Sequence, residues 1–233
     1  MGGNILYRGG GWKLTFRDEF NGSSGAPPDS SKWDNPELSS DFPGPVQNAK
    51  FLGTNAYQDG NGNLVIRSAR ESSGGASYTS GQISTRSNFS QVGGRWEYRA
   101  IMPAGGSGIW PALWQLASNW PTGGEIDTLE MFADMTNAQG YFHYNNGGHQ
   151  FTGGTYATGV SGYNVYATEW DPGSEIRWYF NGALVQTFTS SFVTSDPMWI
   201  MLDTYIGGAA GDPTATTFPQ FFLIDYVRVY QRG

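Results

Sequence analysis

The sequence contains no cysteine, which excludes disulfides and thiolate metal sites. It has two histidines, His143 and His149, and neither H-E-x-x-H nor G-x-S-x-G, so a zinc protease or serine hydrolase has no support. Lysine occurs three times and the net charge is −7, which argues against nucleic acid or an anionic membrane as a partner. The same charge argues, more weakly, against a heavily sulfated polysaccharide. No apolar run approaches the length of a membrane span.

Glycine and aromatic side chains are abundant: there are 34 glycines, and aromatic residues make up 15% of the chain. This composition is typical of short strands joined by many turns. A length of 233 residues fits one domain, and no repeat or linker divides it. We therefore predict a flexible, glycine-rich lead-in over residues 1–11 and a single all-β domain over residues 12–233.

Several segments carry strand patterns. Residues 95–101 and 226–230 alternate polar and apolar side chains, as half-buried strands do. Asn181-Gly182 between two such segments is typical of a type I′ hairpin turn. Residues 198–202 form a continuous apolar run, typical of a strand buried on both faces. Because no segment keeps a 3.6-residue period, these patterns predict an antiparallel β-sandwich.

The most informative segment carries three carboxylates among apolar residues. Glu125 and Asp127 share one face of a strand, whereas Glu130 has the wrong parity for that face. One extra residue, a β-bulge at Thr128 or Leu129, would return Glu130 to the side of the other two. An exposed edge strand with solvated acids is the alternative, but the apolar residues around the last acid disfavour it.

A trio of acids on one buried face suggests chemistry rather than stability, because such acids repel one another and are costly to desolvate. Glycoside hydrolysis needs this set. One carboxylate attacks or activates water, and one neutral carboxylic acid protonates the leaving oxygen. A neighbouring negative charge raises the pKa of that acid and so helps it to keep its proton.

The stretch G-E-I-D-T-L-E-M at residues 124–131 resembles the signature of glycoside hydrolase family 16 in its bulged E-x-D-x-x-E form. Other blocks similar to the family follow in family order, so the resemblance covers nearly the whole chain. They lie at residues 12–20, 55–66, 78–81, 94–97, 110–114, 166–170, 217–220 and 225–230. The resemblance implies a jelly roll of the concanavalin A-like kind, with a concave substrate cleft.

The same resemblance implies roles for the acids. Glu125 is expected to be the nucleophile and Glu130 the general acid/base, while Asp127 tunes the protonation of both. The chain departs from the family at Asp203, where asparagine is common, and at Tyr144, where glycine is usual. Both departures leave the substrate preference less determined than the mechanism.

Three tryptophans, Trp110, Trp114 and Trp120, precede the acids. Flat aromatic rings suit the apolar faces of sugar rings, so we predict that all three bind substrate. Core packing is the alternative for Trp110 and Trp114, which share strand parity. Trp120 lies in the loop that enters the acid strand, where the resemblance places a tryptophan near the −1 sugar.

His143 has the alternation needed to join the acids from the next strand, and the resemblance implies a histidine beside the nucleophile. A hydrogen-bonded structural histidine is the alternative. The resemblance further implies that Asn55 lines the cleft and that Tyr205 and Gln220 lie near its rim. His149 stands in a glycine-rich stretch and is predicted to be a loop residue.

No cofactor is expected to be required for catalysis. Many family members bind a structural calcium ion, and the resemblance implies Glu19 in the first strand and Asp225 in the last as its ligands. Oxygen ligands suit calcium. Two surface acids without a metal are the alternative.

These observations predict a retaining endo-β-glycanase, a monomer, that acts on laminarin-type β-1,3-glucan and then on mixed-linkage β-1,3/1,4-glucan. One alternative is a related glycanase for agar, carrageenan or β-galactan. The other is a non-catalytic lectin-like carbohydrate-binding domain, which would not need the acids. Polymeric glycans are met outside cells, so we expect a secreted protein. Residues 1–11 lack the apolar segment of a signal peptide, so a leader is expected to be missing from this sequence.

Overall fold

The computed structural model describes residues 11–34 and 48–233, so the proposed lead-in lies outside the described residues except for Gly11. Within these ranges the regular secondary structure consists of β-strands and three short 3-10 turns. No helix here is long and apolar enough to span a membrane. The strands are β1 (Trp12–Asp18), β2 (Ala49–Phe51), β3 (Ala56–Gln58), β4 (Leu64–Ser68), β5 (Tyr78–Ser80), β6 (Gln82–Ser84), β7 (Gly94–Ile101), β8 (Ile109–Ala117), β9 (Glu125–Glu130), β10 (Asn137–Asn145), β11 (His149–Thr158), β12 (Asn164–Asp171), β13 (Glu175–Phe180), β14 (Ala183–Thr189), β15 (Met198–Ile206) and β16 (Gln220–Arg232).

Two antiparallel sheets form the body of the described structure. One has the order β14-β13-β12-β7-β16-β4-β3, and β1 joins it by pairing with β16. The other has the order β11-β10-β9-β8-β15-β6. Apolar side chains from both sheets form one core cluster, in which Trp96 and Trp178 of the first sheet accompany Leu113 and Ile126 of the second. The predicted antiparallel β-sandwich is confirmed.

The strand patterns read from the sequence lie where the structure has strands. Residues 95–101 fall within β7 and residues 226–230 within β16. The β13–β14 hairpin turns at Asn181 and Gly182, whose φ angles of 49° and 82° suit a type I′ turn. β15 is buried at every position, as expected for the apolar run.

The acid strand β9 contains the predicted bulge. Leu113 and Trp114 are adjacent on β8, yet their partners on β9 are Leu129 and Asp127, so Thr128 is the extra residue. The register between β9 and β10 shifts at the same place. The predicted β-bulge is therefore confirmed, and it brings the third carboxylate to the face of the first two.

Buried hydrogen bonds from both sheets hold the bulge. The hydroxyl of Thr128 lies 3.0 Å from Nε2 of Gln115, which donates to it, and 3.0 Å from the hydroxyl of Thr168 on the opposite sheet. The indole N–H of Trp178, also on that sheet, donates to the carbonyl of Asp127 at 2.9 Å. Satisfied polar networks of this kind rigidify the segment they surround.

Replacing Thr128 by valine tests this network, because it keeps the branched shape and removes the hydroxyl. Gln115 and Thr168 then lose a buried partner, so we expect the free energy of unfolding to fall by about 1–3 kcal/mol. Urea denaturation followed by tryptophan fluorescence measures it. The control is Thr187→Val on an exposed position of β14, expected to change stability by less than about 0.5 kcal/mol. Equal stability of the two variants would contradict a structural role for the network.

Candidate active site

A cavity of about 360 Å³ opens on the outer face of the six-stranded sheet. That volume lies within the range typical of small-molecule sites. The three acids of β9 all contribute to its wall, and most of the other side chains there are aromatic. The aromatic members are Trp110, Trp114, Trp120, Phe132, Tyr141, His143, His149, Phe151 and Tyr205. The site therefore combines carboxyl groups with flat apolar surfaces.

The three acids are buried despite their charge: Glu125 and Glu130 are 8% exposed and Asp127 is 2% exposed. Burial raises the pKa of each well above its ordinary value. The charge of Asp127 raises the pKa of Glu125 and of Glu130 further. Like charges this close cannot all ionise in a poorly hydrated site, so the cluster retains protons at pH values where a surface carboxyl has lost its own.

Glu130 has a fixed hydrogen-bond partner. The indole N–H of Trp110 donates to its Oε1 at 2.7 Å, which partly offsets the effect of burial on the pKa of Glu130. Trp110 is held in turn against the rings of Phe132 and Tyr205, at centroid distances of 4.8 and 5.4 Å. The bond orients the carboxyl of Glu130 relative to the cavity.

His143 lies on β10, the strand next to β9, directly opposite Glu125. Its Nε2 is 3.2 Å from Oδ2 of Asp127 and 3.8 Å from Oε1 of Glu125. Positive charge on His143 favours the ionised form of Glu125, which lowers the pKa of that acid against the effect of burial.

His149 joins the site although we predicted a loop residue, and that prediction is wrong. It is the first residue of β11. Its Nε2 lies 2.8 Å from Nδ1 of His143, and the two rings stack with centroids 5.1 Å apart. The ring of Trp120 lies 4.6 Å away on centroids. The missed signal was the two-residue spacing of His149 and Phe151, which places both on one strand face.

The surroundings of His149 affect its pKa. Burial lowers the pKa of His149, and the nearby His143 lowers it further. Which ring donates and which accepts in the hydrogen bond between the two histidines depends on their tautomers.

The aromatic residues predicted to bind substrate lie at the cavity. Trp110, Trp114, Trp120 and Tyr205 all contribute to the cavity wall. Trp110 and Trp120 are half-buried, whereas Trp114 and Tyr205 are buried. The alternatives of cleft and core are therefore not exclusive for Trp114, which packs in a small apolar cluster and faces the cavity as well.

Asn55 and Gln220 are not part of this wall, in contrast to their predicted contact with substrate. Asn55 is buried, and its Oδ1 accepts a hydrogen bond from Arg67 at 3.1 Å. The amide of Gln220 accepts from the N–H of Gly105 and donates to the carbonyls of Gly105 and Thr217. The hydrogen bonds of both side chains are made to neighbouring protein groups, which explains why they lie outside the cavity wall.

The proposed calcium ligands do not fit a metal site. Both oxygens of Glu19 accept from Arg228, at 2.8 and 2.7 Å. Asp225 is hydrogen-bonded to Arg99. Each carboxylate is paired with its own guanidinium, and neither belongs to a cluster of three or more ligating side chains among the described residues. The prediction of calcium at Glu19 and Asp225 therefore finds no support in this geometry.

A family model described as the XgeA-like catalytic domain of glycoside hydrolase family 16 matches residues 47–168. The chain is 33% identical to the β-glucanase of Rhodothermus marinus over 94% of this chain and 85% of that protein. It is 30% identical to the endo-1,3-1,4-β-glycanase ExsH of Rhizobium meliloti (strain 1021) over 93% of this chain. That match spans about half of the relative, 51% of its length.

A solved structure agrees with these matches. The laminarinase catalytic domain of Thermotoga maritima superposes with a TM-score of 0.82 at 30% sequence identity, over 95% of this chain and 99% of that one. The similarity thus extends over both sheets and includes the strand that carries the acids. The chain belongs to glycoside hydrolase family 16 and is a glycoside hydrolase.

Proposed function

We propose that this chain is a retaining endo-β-glucanase that hydrolyses laminarin-type β-1,3-glucan and mixed-linkage β-1,3/1,4-glucan. One observation carries the proposal: a bulged strand presents three buried carboxyl groups to a cavity walled by aromatic rings. The names of the relatives support the choice of glycan, since they include an endo-1,3-1,4-β-glycanase and a laminarinase. The net charge of −7 also favours an uncharged glycan.

Glu125 acts as the nucleophile in this proposal. Its carboxylate attacks the anomeric carbon and forms a covalent glycosyl-enzyme while the aglycone oxygen departs. His143, beside it, favours the ionised form that attack requires. Water then attacks the anomeric carbon from the face that the aglycone left, opposite the bond to Glu125, and displaces the carboxylate, so two inversions give net retention.

Glu130 acts as the acid and then as the base. It first gives its proton to the departing oxygen, and later takes a proton from the attacking water. Burial and the charge of Asp127 keep Glu130 protonated at the start of the cycle. The bond from Trp110 holds its carboxyl in place. Asp127 lies between the two glutamates in sequence, is the least exposed of the three acids, and sets the proton occupancy of both.

NMR of the first product formed from laminarin tests the mechanism. We expect the β-anomer to appear first and the α-anomer to grow by mutarotation. An α-anomer formed first would exclude retention.

In a second experiment the protein is incubated with a panel of glycans: laminarin, mixed-linkage glucan, agarose and carrageenan. The sizes of the products are followed over time.

The panel also tests the choice of substrate. Oligosaccharides of intermediate size from laminarin identify endo action on β-1,3-glucan. Turnover confined to agarose or carrageenan would reassign the substrate to a galactan. Binding without turnover would indicate a carbohydrate-binding domain. We further propose that the protein is secreted, because polymeric glycans are met outside cells, and that it is a monomer. A dimer in gel filtration would contradict the monomeric state.

A further inference from the structure

A fourth carboxyl group, that of Asp203, is fully buried on the cavity side of β15. Asp203 pairs with Ala112 on β8, and Ala112 pairs with Glu130 on β9. Paired residues of neighbouring antiparallel strands share one face of the sheet, so Asp203 and Glu130 lie on the same face with Ala112 between them. Two strand spacings separate their Cα atoms by about 10 Å. Ala112, between them, has only a methyl side chain.

The hydrogen bonds of Asp203 are asymmetric. Its Oδ2 accepts from Nε2 of Gln82 at 2.8 Å and from the indole N–H of Trp114 at 3.0 Å. Its Oδ1 is buried and has no hydrogen-bond partner within the described residues. One oxygen therefore orients the ring of Trp114 in the cavity wall. The other is the atom on which a proton resides when the group is neutral.

The charged and titratable groups that face Asp203 are few. Strand β9 contributes Asp127 and Glu130, and β15 itself contributes Tyr205, whose pKa is raised by burial and then by the charge of Asp203. The partners from β6 and β8, Gln82 and Trp114, are neutral. In residues 11–34 and 48–233 no ion pair joins Asp203 to a basic side chain.

Burial raises the pKa of Asp203 to about 7, so the group changes charge near neutral pH. When ionised, Asp203 raises the pKa of Asp127 and of Glu130. The group thus adds negative charge to the acid cluster in the pH range where a general acid must still hold its proton.

We propose that Asp203 is a positioning residue that holds Trp114 in the cavity wall and, as a fourth carboxyl beside the acids, helps to keep the proton on Glu130. The inference rests on the proposed function, because it concerns the acid of that reaction. Loss of a proton from Glu130 beside an ionised Asp203 would add another negative charge to a poorly hydrated site. Glu130 therefore remains protonated to higher pH than it would beside a neutral side chain.

Asp203→Asn separates charge from shape, because asparagine keeps one oxygen to accept from Gln82 and Trp114. We expect the basic limb of the kcat/KM profile for laminarin to move to lower pH by about one unit. The matched control is Asp196→Asn at an exposed position, for which the profile should not move. A basic limb that stays in place in Asp203→Asn overturns the role of the charge.

A second measurement does not depend on turnover. The indole N–H signal of Trp114, assigned by its loss in Trp114→Phe, should shift with pH in the parent protein with a midpoint near 7, and not in Asp203→Asn. A titrating signal in a protein that hydrolyses no glycan refutes the proposed function and keeps the link between Asp203 and Trp114. Hydrolysis with an indole signal that does not respond to pH refutes that link instead.

Discussion

Glu125→Gln is expected to reduce kcat/KM for laminarin by at least about 10³-fold, because the amide cannot form the glycosyl-enzyme. The fold should survive, since glutamine has nearly the same shape and removes a charge that burial disfavours. Initial rates on laminarin, with binding measured separately by calorimetry, distinguish lost chemistry from lost affinity. We expect binding to be retained.

A matched control is Glu175→Gln on β13, in the sheet that does not carry the acids. Its rate on laminarin should equal that of the parent.

Glu125→Gly offers a sharper test. Added azide can enter the space that the Glu125 side chain leaves and attack an activated glycoside from the face opposite the leaving group. An α-glycosyl azide is the expected product. Full activity of Glu125→Gln would remove the nucleophile from the proposed mechanism.

The difference in stability between Glu125→Gln and the parent should also depend on pH. The pKa of Glu125 is raised in the folded chain, so the folded state binds more protons than the unfolded state above the ordinary carboxyl pKa. The stability of the parent therefore falls as pH rises through this window, and the glutamine variant escapes that loss. We expect its advantage in Tm over the parent to be larger at pH 8 than at pH 4.

The sequence was sufficient to predict the acid cluster because the evidence for it is local. Side chains alternate along a strand, so the wrong parity of Glu130 required one extra residue, and the structure places that residue at Thr128. The hairpin at Asn181-Gly182 is local in the same sense, since its turn residues adopt the positive φ angles that the turn demands.

The remaining differences arise from contacts between distant parts of the chain. His149 reaches the site only because β11 pairs with β10, and the glycines around it obscured the alternation. Glu19 meets an arginine 209 positions later, which no local pattern shows. The amide of Gln220 is held by Gly105, 115 positions earlier. Strand register and long-range contacts therefore determine whether a polar side chain lines the cavity or forms hydrogen bonds elsewhere in the fold.

Glu130→Gln is expected to lower kcat/KM for laminarin by about 10²- to 10⁴-fold, the usual contribution of a general acid. The amide oxygen can still accept the hydrogen bond from Trp110, so the geometry should persist. The loss should depend on the leaving group. A 2,4-dinitrophenyl glycoside departs without a proton, so its first step should be nearly unaffected, whereas laminarin needs the acid.

The pH profile gives an independent reading of the same variant. The acid must be protonated, so kcat/KM of the parent falls as pH rises through the raised pKa of Glu130. The nucleophile must be ionised, so kcat/KM also falls as pH drops through the raised pKa of Glu125. With the dinitrophenyl substrate, Glu130→Gln should lose the basic limb and keep the acidic one. Equal loss on both substrates, or a basic limb that persists with the dinitrophenyl substrate, would contradict the assignment of Glu130 as the general acid.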